Sequence, residues 1–156
     1  MVERNTKHAV VLLAEDDPGD QELTRRALQE AVLRTTLYVV SDGEEAMDFL
    51  LRRGDYANPA AAPRPDLLLL DLNMPKLDGR QVLQQIRGDE GLRSLPVVVL
   101  TTSEEEGDII RSYELGCNSY ITKPDIGAFM RTVRELVSYW FELVTLPSQR
   151  EMSNVR

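Results

Sequence analysis

Short apolar runs recur along the chain, and each one ends in polar or turn-forming residues. The runs occupy residues 10–14, 37–40, 67–70 and 97–100, and a weaker run lies at 119–122. Their hydrophobicity is continuous rather than alternating, which is typical of strands buried on both faces of a parallel sheet. The pattern therefore predicts five parallel strands.

Amphipathic segments separate these runs. Pro18 follows Asp17, which fits the first position of a helix behind a capping residue. The run Ser103-Glu104-Glu105-Glu106 has the form of a capping box and predicts the start of the fourth helix. The last helix carries an apolar stripe over residues 129–144 and could extend roughly 30 Å, at about 1.5 Å per residue. Five strands alternating with five helices predict a doubly wound α/β fold, because parallel strands need crossover helices.

Length and charge limit the classes of protein that fit. The chain has 156 residues, which suits one domain, and we expect it to cover 9–147 between tails at 1–8 and 148–156. Its 18 Lys and Arg against 26 Asp and Glu give a net charge of −8, which argues against nucleic-acid partners and anionic membranes. No apolar stretch approaches the roughly 20 residues that span a bilayer. With one cysteine and no signal-peptide pattern, we expect a cytoplasmic protein.

The histidine content restricts the chemistry. His8 is the only histidine, and it lies in the polar N-terminal segment. A histidine-rich zinc site is therefore excluded, and a Ser–His–Asp arrangement could use only His8. Any chemistry must depend on carboxylates, hydroxyls or lysine.

Polar residues suited to such chemistry follow the predicted strands. Glu15 and Asp16 follow the first strand, Asp71 the third, Thr101 the fourth and Lys123 the fifth. Ligands of open α/β sheets bind outside the carboxyl ends of the strands, where these residues would converge. Crowded carboxylates repel one another, and an oxygen-only cluster favours a hard cation, which we expect to be Mg²⁺. Together with Lys123 and Thr101, such a site would stabilise a phosphoryl group near Asp71.

Each of these residues alone has an ordinary explanation as a strand end, a turn or a surface charge. We interpret Asp17 as a helix cap rather than a ligand. Residues 54–65 contain three prolines and predict an extended loop, which we interpret as a spacer. Only the joint occurrence of the polar residues, in matching order at the strand ends, favours a functional site.

Four motifs give the chain a resemblance to a known family. They are Leu13-Ala14-Glu15-Asp16-Asp17-Pro18, the segment from Asp71 to Gly79, Leu100-Thr101-Thr102, and Tyr120-Ile121-Thr122-Lys123-Pro124. In this order they resemble the receiver domain of two-component response regulators, over residues 8–145. The resemblance implies a flavodoxin-like (βα)₅ fold with strand order 2-1-3-4-5. The long second loop and the C-terminal end resemble the stand-alone regulators of phytochrome-type histidine kinases.

The resemblance implies a role for each acidic residue. Asp71 matches the aspartate that takes a phosphoryl group from a histidine of a partner kinase, so the chain needs no catalytic histidine of its own. Asp16 matches a direct Mg²⁺ ligand, and Glu15 matches a neighbouring acid that acts through a coordinated water. Asn73 matches the position whose backbone carbonyl binds the metal.

Other residues match the family's switching parts. Thr101 corresponds to the hydroxyl that follows the phosphoryl group, and Lys123 to the lysine that pairs with it. Tyr120 corresponds to the aromatic that changes rotamer with Thr101. The resemblance also implies a cis peptide bond between Lys123 and Pro124.

The C-terminal end is apolar on more than one side, which indicates either unusual burial or a partner. We expect a homodimer through this helix. The predicted interface residues are Tyr139, Trp140, Phe141, Leu143 and Leu146.

Two other classes of protein remain open. An aspartate-nucleophile phosphohydrolase would also use Asp71 and Mg²⁺, but haloacid-dehalogenase-type enzymes carry a second Asp where this chain has Asn73. A structural dimer module that receives no phosphate is the other alternative. We expect a phosphoacceptor with weak self-phosphorylation or dephosphorylation at most, and not an enzyme.

Overall fold

The computed structural model describes residues 8–30 and 34–147. Apart from His8, the predicted tails at 1–8 and 148–156 lie outside these residues. The strands are β1 Ala9–Ala14, β2 Thr35–Val40, β3 Leu67–Leu70, β4 Val97–Thr101 and β5 Ser119–Thr122. The α-helices are α1 Pro18–Gln29, α2 Gly43–Leu51, α3 Gly79–Gly88, α4 Glu106–Glu114 and α5 Ile126–Ser138.

The five strands form one parallel sheet in the order β2-β1-β3-β4-β5, which confirms the predicted fold and strand order. Ala14, at the end of β1, pairs with Val40 of β2 and with Leu70 of β3. Thr101, at the end of β4, pairs with Thr122 of β5. This register brings the residues that follow β1, β3 and β5 to one edge of the sheet.

Alternate residues of each central strand enter opposite sides of the core. Leu12 and Leu68 pack with α2 and α3 on one face, whereas Val11 and Leu67 face α5 on the other. All four residues of β3 are buried, which explains why its sequence is a continuous leucine run rather than an alternating one.

Aspartates start most of the helices. Asp17 caps α1 and Asp42 caps α2, and Asp78 forms a capping box with Gln81 at α3. The predicted cap role of Asp17 is therefore confirmed.

The capping box expected at Ser103 does not form. Helix α4 begins at Glu106 behind Glu105, which makes no side-chain cap. The Ser103 hydroxyl instead donates to the Asp108 carboxylate at 2.6 Å. The Ser103 oxygen can still accept, and it accepts from the Glu105 amide at 3.3 Å. The box is absent because α4 begins only at Glu106, so Ser103 lies too early in the chain to be its N-cap.

Arg87, near the end of α3, joins two loops at the amino ends of β4 and β5. Its guanidinium donates to the carbonyls of Gly116, Arg93 and Leu95 at 2.9, 3.0 and 2.7 Å. It also donates to Asn118 Oδ1 at 3.0 Å. A planar group with five donors suits this fixed set of acceptors.

The segment at 54–65 is docked on the domain rather than forming a free spacer. In the 3₁₀ turn Gly54–Tyr56, the ring of Tyr56 packs against Phe49. The Tyr56 hydroxyl donates to the Glu45 carboxylate at 2.7 Å. Ala62 is buried and its carbonyl accepts from Arg52 at 3.1 Å. The apolar Ala62 and Tyr56 side chains explain why the loop lies on the core.

The long C-terminal helix changes geometry before it ends. The α-helical part stops at Ser138, and a wider π-helical turn follows at Tyr139–Leu143. The chain is extended at Val144. The C-terminal helix is therefore predicted at the right place in the chain, but its last turns are π-helical rather than α-helical.

No helix within the described residues is both long and apolar enough to cross a bilayer.

Candidate functional site

Three carboxylates meet at the carboxyl edge of the sheet. Glu15 and Asp16 follow β1, and Asp71 follows β3. One oxygen from each of the three lies within 4.8 Å of the others. Glu15 and Asp71 are buried, whereas Asp16 is exposed. The predicted acidic cluster therefore forms, and it combines two buried groups with one that faces solvent.

Lys123 enters this cluster from the end of β5. Its side chain is only 6% exposed, and Nζ donates to Glu15 Oε1 at 2.6 Å and to Asp71 Oδ2 at 3.1 Å. A third contact joins Nζ to Asp20 Oδ2 at 2.8 Å. The sequence prediction missed Asp20. Acidic residues are common in the first turn of a helix because they interact favourably with the helix dipole. The residue type and position of Asp20 therefore do not indicate a contact with Lys123.

Burial and pairing set the charges of the site. Burial, opposed by the hydrogen bond from Lys123, raises the pKa of Glu15 to about 7. Burial also works against the charge of Lys123, but hydrogen bonds to Asp20 and Glu15 outweigh it and raise the pKa of the ammonium. Lys123 is therefore a cation at neutral pH and offsets part of the carboxylate charge.

Thr101 ends β4 beside this cluster, and its side chain is buried. Its hydroxyl oxygen has no hydrogen-bond partner among the described residues. A buried hydroxyl without a partner is costly, so it needs an explanation, and a ligand oxygen at the adjacent cluster would provide one. The feature fits the predicted role of Thr101 as a donor that waits for a ligand oxygen.

Gly79 allows the loop after Asp71 to fold back onto the site. A Cβ at this position would lie 2.3 Å from the carbonyl oxygen of Asp71. The Gly79 amide also donates to the carbonyl of Leu72 at 2.8 Å. Only glycine permits this approach of α3 to the strand end.

Tyr120 connects the site to α4. Its hydroxyl donates to the Ser103 carbonyl at 2.9 Å, and the Ser103 hydroxyl is bonded to Asp108. Asp108 also accepts from Arg80 of α3 at 2.6 Å. Sequence reasoning named Tyr120 but missed Arg80 and Asp108, which are unremarkable surface charges until the fold pairs them. The predicted rotamer change of Tyr120 stays a prediction.

The peptide bond between Lys123 and Pro124 is trans, which corrects the expected cis bond. Trans is the lower-energy isomer before proline by roughly 0.5–1 kcal/mol. Lys123 reaches all three of its carboxylate partners with the bond in this form.

The donor set fits a hard divalent cation. Its carboxylates offer only oxygen, and the described residues place no thiol or imidazole among them. Asn73 lies exposed beside the cluster, and its backbone amide donates to Asp71 Oδ1 at 3.3 Å. The predicted metal role of the Asn73 carbonyl stays a prediction.

The residues predicted for a dimer interface divide into two sets. Tyr139 and Leu143 are exposed, by 51% and 78%. Phe141 and Leu146 are partly buried against the apolar face of the chain's own sheet. Trp140 is buried in the same cluster, which corrects its assignment to an outer surface. Trp140 follows Leu136 by four positions and so continues the buried stripe of α5, where the two side chains belong to the same cluster.

Comparison with known proteins gives one consistent result. The family model of the response regulator receiver domain matches residues 11–134. The chain is 43% identical over 149 residues to the response regulator Rcp1 of Synechocystis sp., covering 95% of this chain and 99% of Rcp1. The structure of the Mn²⁺-bound form of Rcp1 aligns with a TM-score of 0.84 at 45% identity, over 90% of this chain and 99% of that one.

Two further structures come from regulators whose names refer to phytochromes. The phosphorylated cyanobacterial phytochrome response regulator RcpA aligns with a TM-score of 0.86 at 44% identity, over 91% of this chain and all of RcpA. The bacteriophytochrome response regulator RtBRR aligns with a TM-score of 0.70 at 42% identity, over 95% of this chain and 90% of RtBRR. The sheet order, the carboxylate cluster and these matches agree, and the chain belongs to the response regulator receiver domain family.

Proposed function

We propose that this protein accepts a phosphoryl group on Asp71 from a histidine kinase of the phytochrome type. The observation that carries the proposal is the position of Asp71, which is buried at the end of β3 within a carboxylate cluster and 3.1 Å from Lys123. A lone buried carboxylate would be unfavourable without partners, so the cluster indicates a group built to meet both a cation and a phosphoryl group.

In the proposed reaction, an oxygen of the Asp71 carboxylate attacks the phosphorus of a phosphohistidine. A phosphorus–oxygen bond forms as the phosphorus–nitrogen bond breaks, and the electron pair returns to the imidazole, which takes up a proton. Lys123 offsets charge on the phosphoryl oxygens. Catalysis of this kind rests mainly on positioning and electrostatics. Water can later hydrolyse the acyl phosphate. Because the group that is phosphorylated belongs to the chain itself, the chain acts as a phosphoacceptor rather than as an enzyme with a separate substrate.

The metal we propose is Mg²⁺, held by Glu15, Asp16 and Asp71. When bound, it would supply positive charge to the phosphoryl oxygens. The all-oxygen donor set supports the proposal, as does the exposed position of Asp16, because Mg²⁺ keeps part of its water shell. Rcp1, whose structure has Mn²⁺ bound, shows that a relative accepts a divalent cation.

The partner must supply the histidine. His8 directly precedes β1, whereas the cluster follows the same strand, so they are separated by the strand's length of roughly 20 Å. This separation supports the proposal that the phosphohistidine belongs to a partner kinase. The phytochrome assignment is supported by RcpA and RtBRR, and a cytoplasmic location would suit such a partner.

We further propose that phosphorylation acts through Thr101 and Tyr120. The Thr101 hydroxyl would donate to a phosphoryl oxygen and gain the partner it lacks among the described residues. Tyr120 already reaches the carbonyl of Ser103 and so joins the loop after β4 to β5. A shift at Thr101 would change this contact and alter the surface formed by α4, β5 and α5.

Labelling experiments test the main proposal. Wild-type protein should be labelled by a phytochrome-type kinase and by acetyl phosphate with Mg²⁺, whereas Asp71→Asn should not. Asp55→Asn removes a carboxylate from the 3₁₀ turn outside the site and should leave labelling unchanged. Labelling of Asp71→Asn at another residue contradicts the assignment. Turnover of small phosphate esters would favour a phosphohydrolase, and failure to bind beryllofluoride with Mg²⁺ would favour a structural module.

The C-terminal turn supports a proposal of homodimerisation. Tyr139 and Leu143 place two large apolar side chains in solvent next to a buried cluster. Leu143→Ser should weaken a dimer measured by light scattering at tens of micromolar. Ile126→Ser is the matched control, because Ile126 is 79% exposed at the other end of α5. A wild-type protein that is monomeric with and without phosphorylation contradicts the proposal.

A further inference from the structure

Asp20 is fixed on the first turn of α1. Asp17 accepts from the Asp20 amide at 2.8 Å, and Pro18 occupies the first helical position. The Thr24 hydroxyl donates to the Asp20 carbonyl at 2.8 Å. The backbone of Asp20 is thus held on both sides, which leaves its carboxylate at a defined place beside Lys123.

The three contacts of Lys123 use all of its hydrogen-bonding capacity. An ammonium has three N–H donors, and Glu15, Asp20 and Asp71 provide three acceptors at 2.6, 2.8 and 3.1 Å. The lysine side chain is almost fully buried, so a donor left without a partner would be costly.

The three acceptors differ in what else they serve. Glu15 and Asp71 belong to the carboxylate triad, whereas Asp20 does not. A cation at the triad would draw on Glu15 and Asp71, and a phosphoryl group would be attached to Asp71 itself. Among the described residues, Asp20 is the one partner of Lys123 that neither cation binding nor phosphorylation would involve directly.

We infer that Asp20 is a positioning residue that holds the Lys123 ammonium over the phosphoryl position while the cation occupies Glu15 and Asp71. The inference rests on the proposed function, because it assigns Lys123 to a phosphoryl oxygen. Asp20 keeps one N–H of Lys123 engaged and directs another toward Asp71. Asp20 also adds negative charge to the site. If it acted through this charge alone, removing it would strengthen the binding of an anion, the opposite of the effect that the positioning role predicts.

The test measures the affinity of beryllofluoride, a phosphoryl analogue, in saturating Mg²⁺. Asp20→Ala should weaken binding about ten-fold, as expected for loss of one hydrogen bond to a charged group. Asp20→Asn keeps a neutral acceptor and should restore part of the affinity. Glu22→Ala removes the same charge from an exposed position of α1 and should change affinity less than two-fold. Unchanged or tighter binding by Asp20→Ala overturns the inference.

A double-mutant cycle shows whether the effect passes through Lys123. In a Lys123→Met background, Asp20→Ala should change beryllofluoride affinity less than two-fold, because the ammonium that it positions is gone. An undiminished ten-fold loss in that background overturns the inference. In metal-free protein, the ¹H–¹⁵N signal of the Lys123 ammonium should persist in Glu22→Ala and vanish through fast exchange in Asp20→Ala.

The outcomes separate this inference from the proposed function. If acetyl phosphate labels wild-type Asp71 and Asp20→Ala binds beryllofluoride as wild type does, only the role of Asp20 is wrong. If wild-type protein neither binds beryllofluoride nor is labelled, both are wrong. Circular dichroism of each variant identifies loss of fold, and Asp20→Asn then carries the test because it changes no side-chain volume.

Discussion

Replacing Thr101 by valine should make the unphosphorylated protein more stable while it weakens the response to phosphorylation. Thr101 is fully buried, and its hydroxyl has no partner among the described residues. Valine keeps the branched shape that suits the end of β4 and exchanges the hydroxyl for a methyl group. The valine variant buries no unbonded hydroxyl, so folding no longer costs the free energy of removing that group from water.

The expected gain follows from two contributions. An unsatisfied buried hydroxyl costs roughly 1–3 kcal/mol, and a buried methyl group contributes about 0.8 kcal/mol. Imperfect fit reduces the sum, so the free energy of unfolding should rise by about 1–2 kcal/mol. For a chain of this length, a gain of that size raises the melting temperature by about 3–6 °C.

Urea denaturation without Mg²⁺ measures the change, and Thr24→Val is the matched control. Thr24 is also buried, but its hydroxyl donates to the Asp20 carbonyl at 2.8 Å. Thr24→Val should therefore lower the free energy of unfolding by about 1 kcal/mol. Replacement by valine should thus raise the free energy of unfolding at Thr101 and lower it at Thr24.

Beryllofluoride with Mg²⁺ provides the functional half of the experiment. The ligand should stabilise wild-type protein more than Thr101→Val, because valine has no hydroxyl to donate to it. If Thr101→Val loses as much stability as Thr24→Val, the Thr101 hydroxyl is bonded in the free protein. The proposed role as a waiting donor would then be wrong.

Three other predictions follow from single contacts. Burial raises the pKa of Glu15 to about 7, and protons compete with a cation for the carboxylate, so Mg²⁺ affinity should rise up to about ten-fold from about pH 6 to pH 8. Calorimetric titrations at both pH values check this, and a profile as flat as that of Glu15→Gln contradicts it. Arg87→Lys should lower the free energy of unfolding in urea by about 2–3 kcal/mol, because lysine cannot reach four fixed acceptors; a loss below about 0.5 kcal/mol, as at a surface charge, contradicts it. Gly79→Ala should cost at least about 2 kcal/mol and reduce beryllofluoride binding, since its Cβ would strike the Asp71 carbonyl. Gly107→Ala, with open space around it in α4, should be neutral or stabilising by up to about 1 kcal/mol in the same assays, and an equal loss at both glycines contradicts the prediction.

The strands and the main site were predictable because their signals are local. The leucine run of β3 is buried on both faces, so a continuous apolar sequence is enough to identify it. Asp71 stands immediately after that run, and the fold class alone brings a strand end to the ligand edge. Asp17 was predictable as a cap for the same reason, because it and Pro18 are adjacent in sequence.

The failures arose where a partner lies far away along the chain. Ser103 has the sequence of a helix cap, but α4 begins only at Glu106. The serine hydroxyl instead bonds to Asp108, which Arg80 of α3 holds from 28 positions away. Asp20 resembles any acid in a first helical turn until β5 brings Lys123 against it. The π-helical turn at Tyr139–Leu143 is a change of helical pitch that the apolar stripe does not encode.

The contact between Lys123 and Glu15 spans 108 positions of the chain. At synthesis rates of about 5–20 residues per second, a ribosome needs roughly 5–20 s to make the lysine after the glutamate. Asp71 precedes Lys123 by 52 positions, so for roughly 3–10 s of that interval a nascent chain contains the proposed phosphoacceptor without the cation that completes its pocket. If Asp71 is the phosphoacceptor, we expect an unfinished or shortened chain that carries Asp71 but lacks β5 to compete poorly with mature molecules for phosphoryl groups.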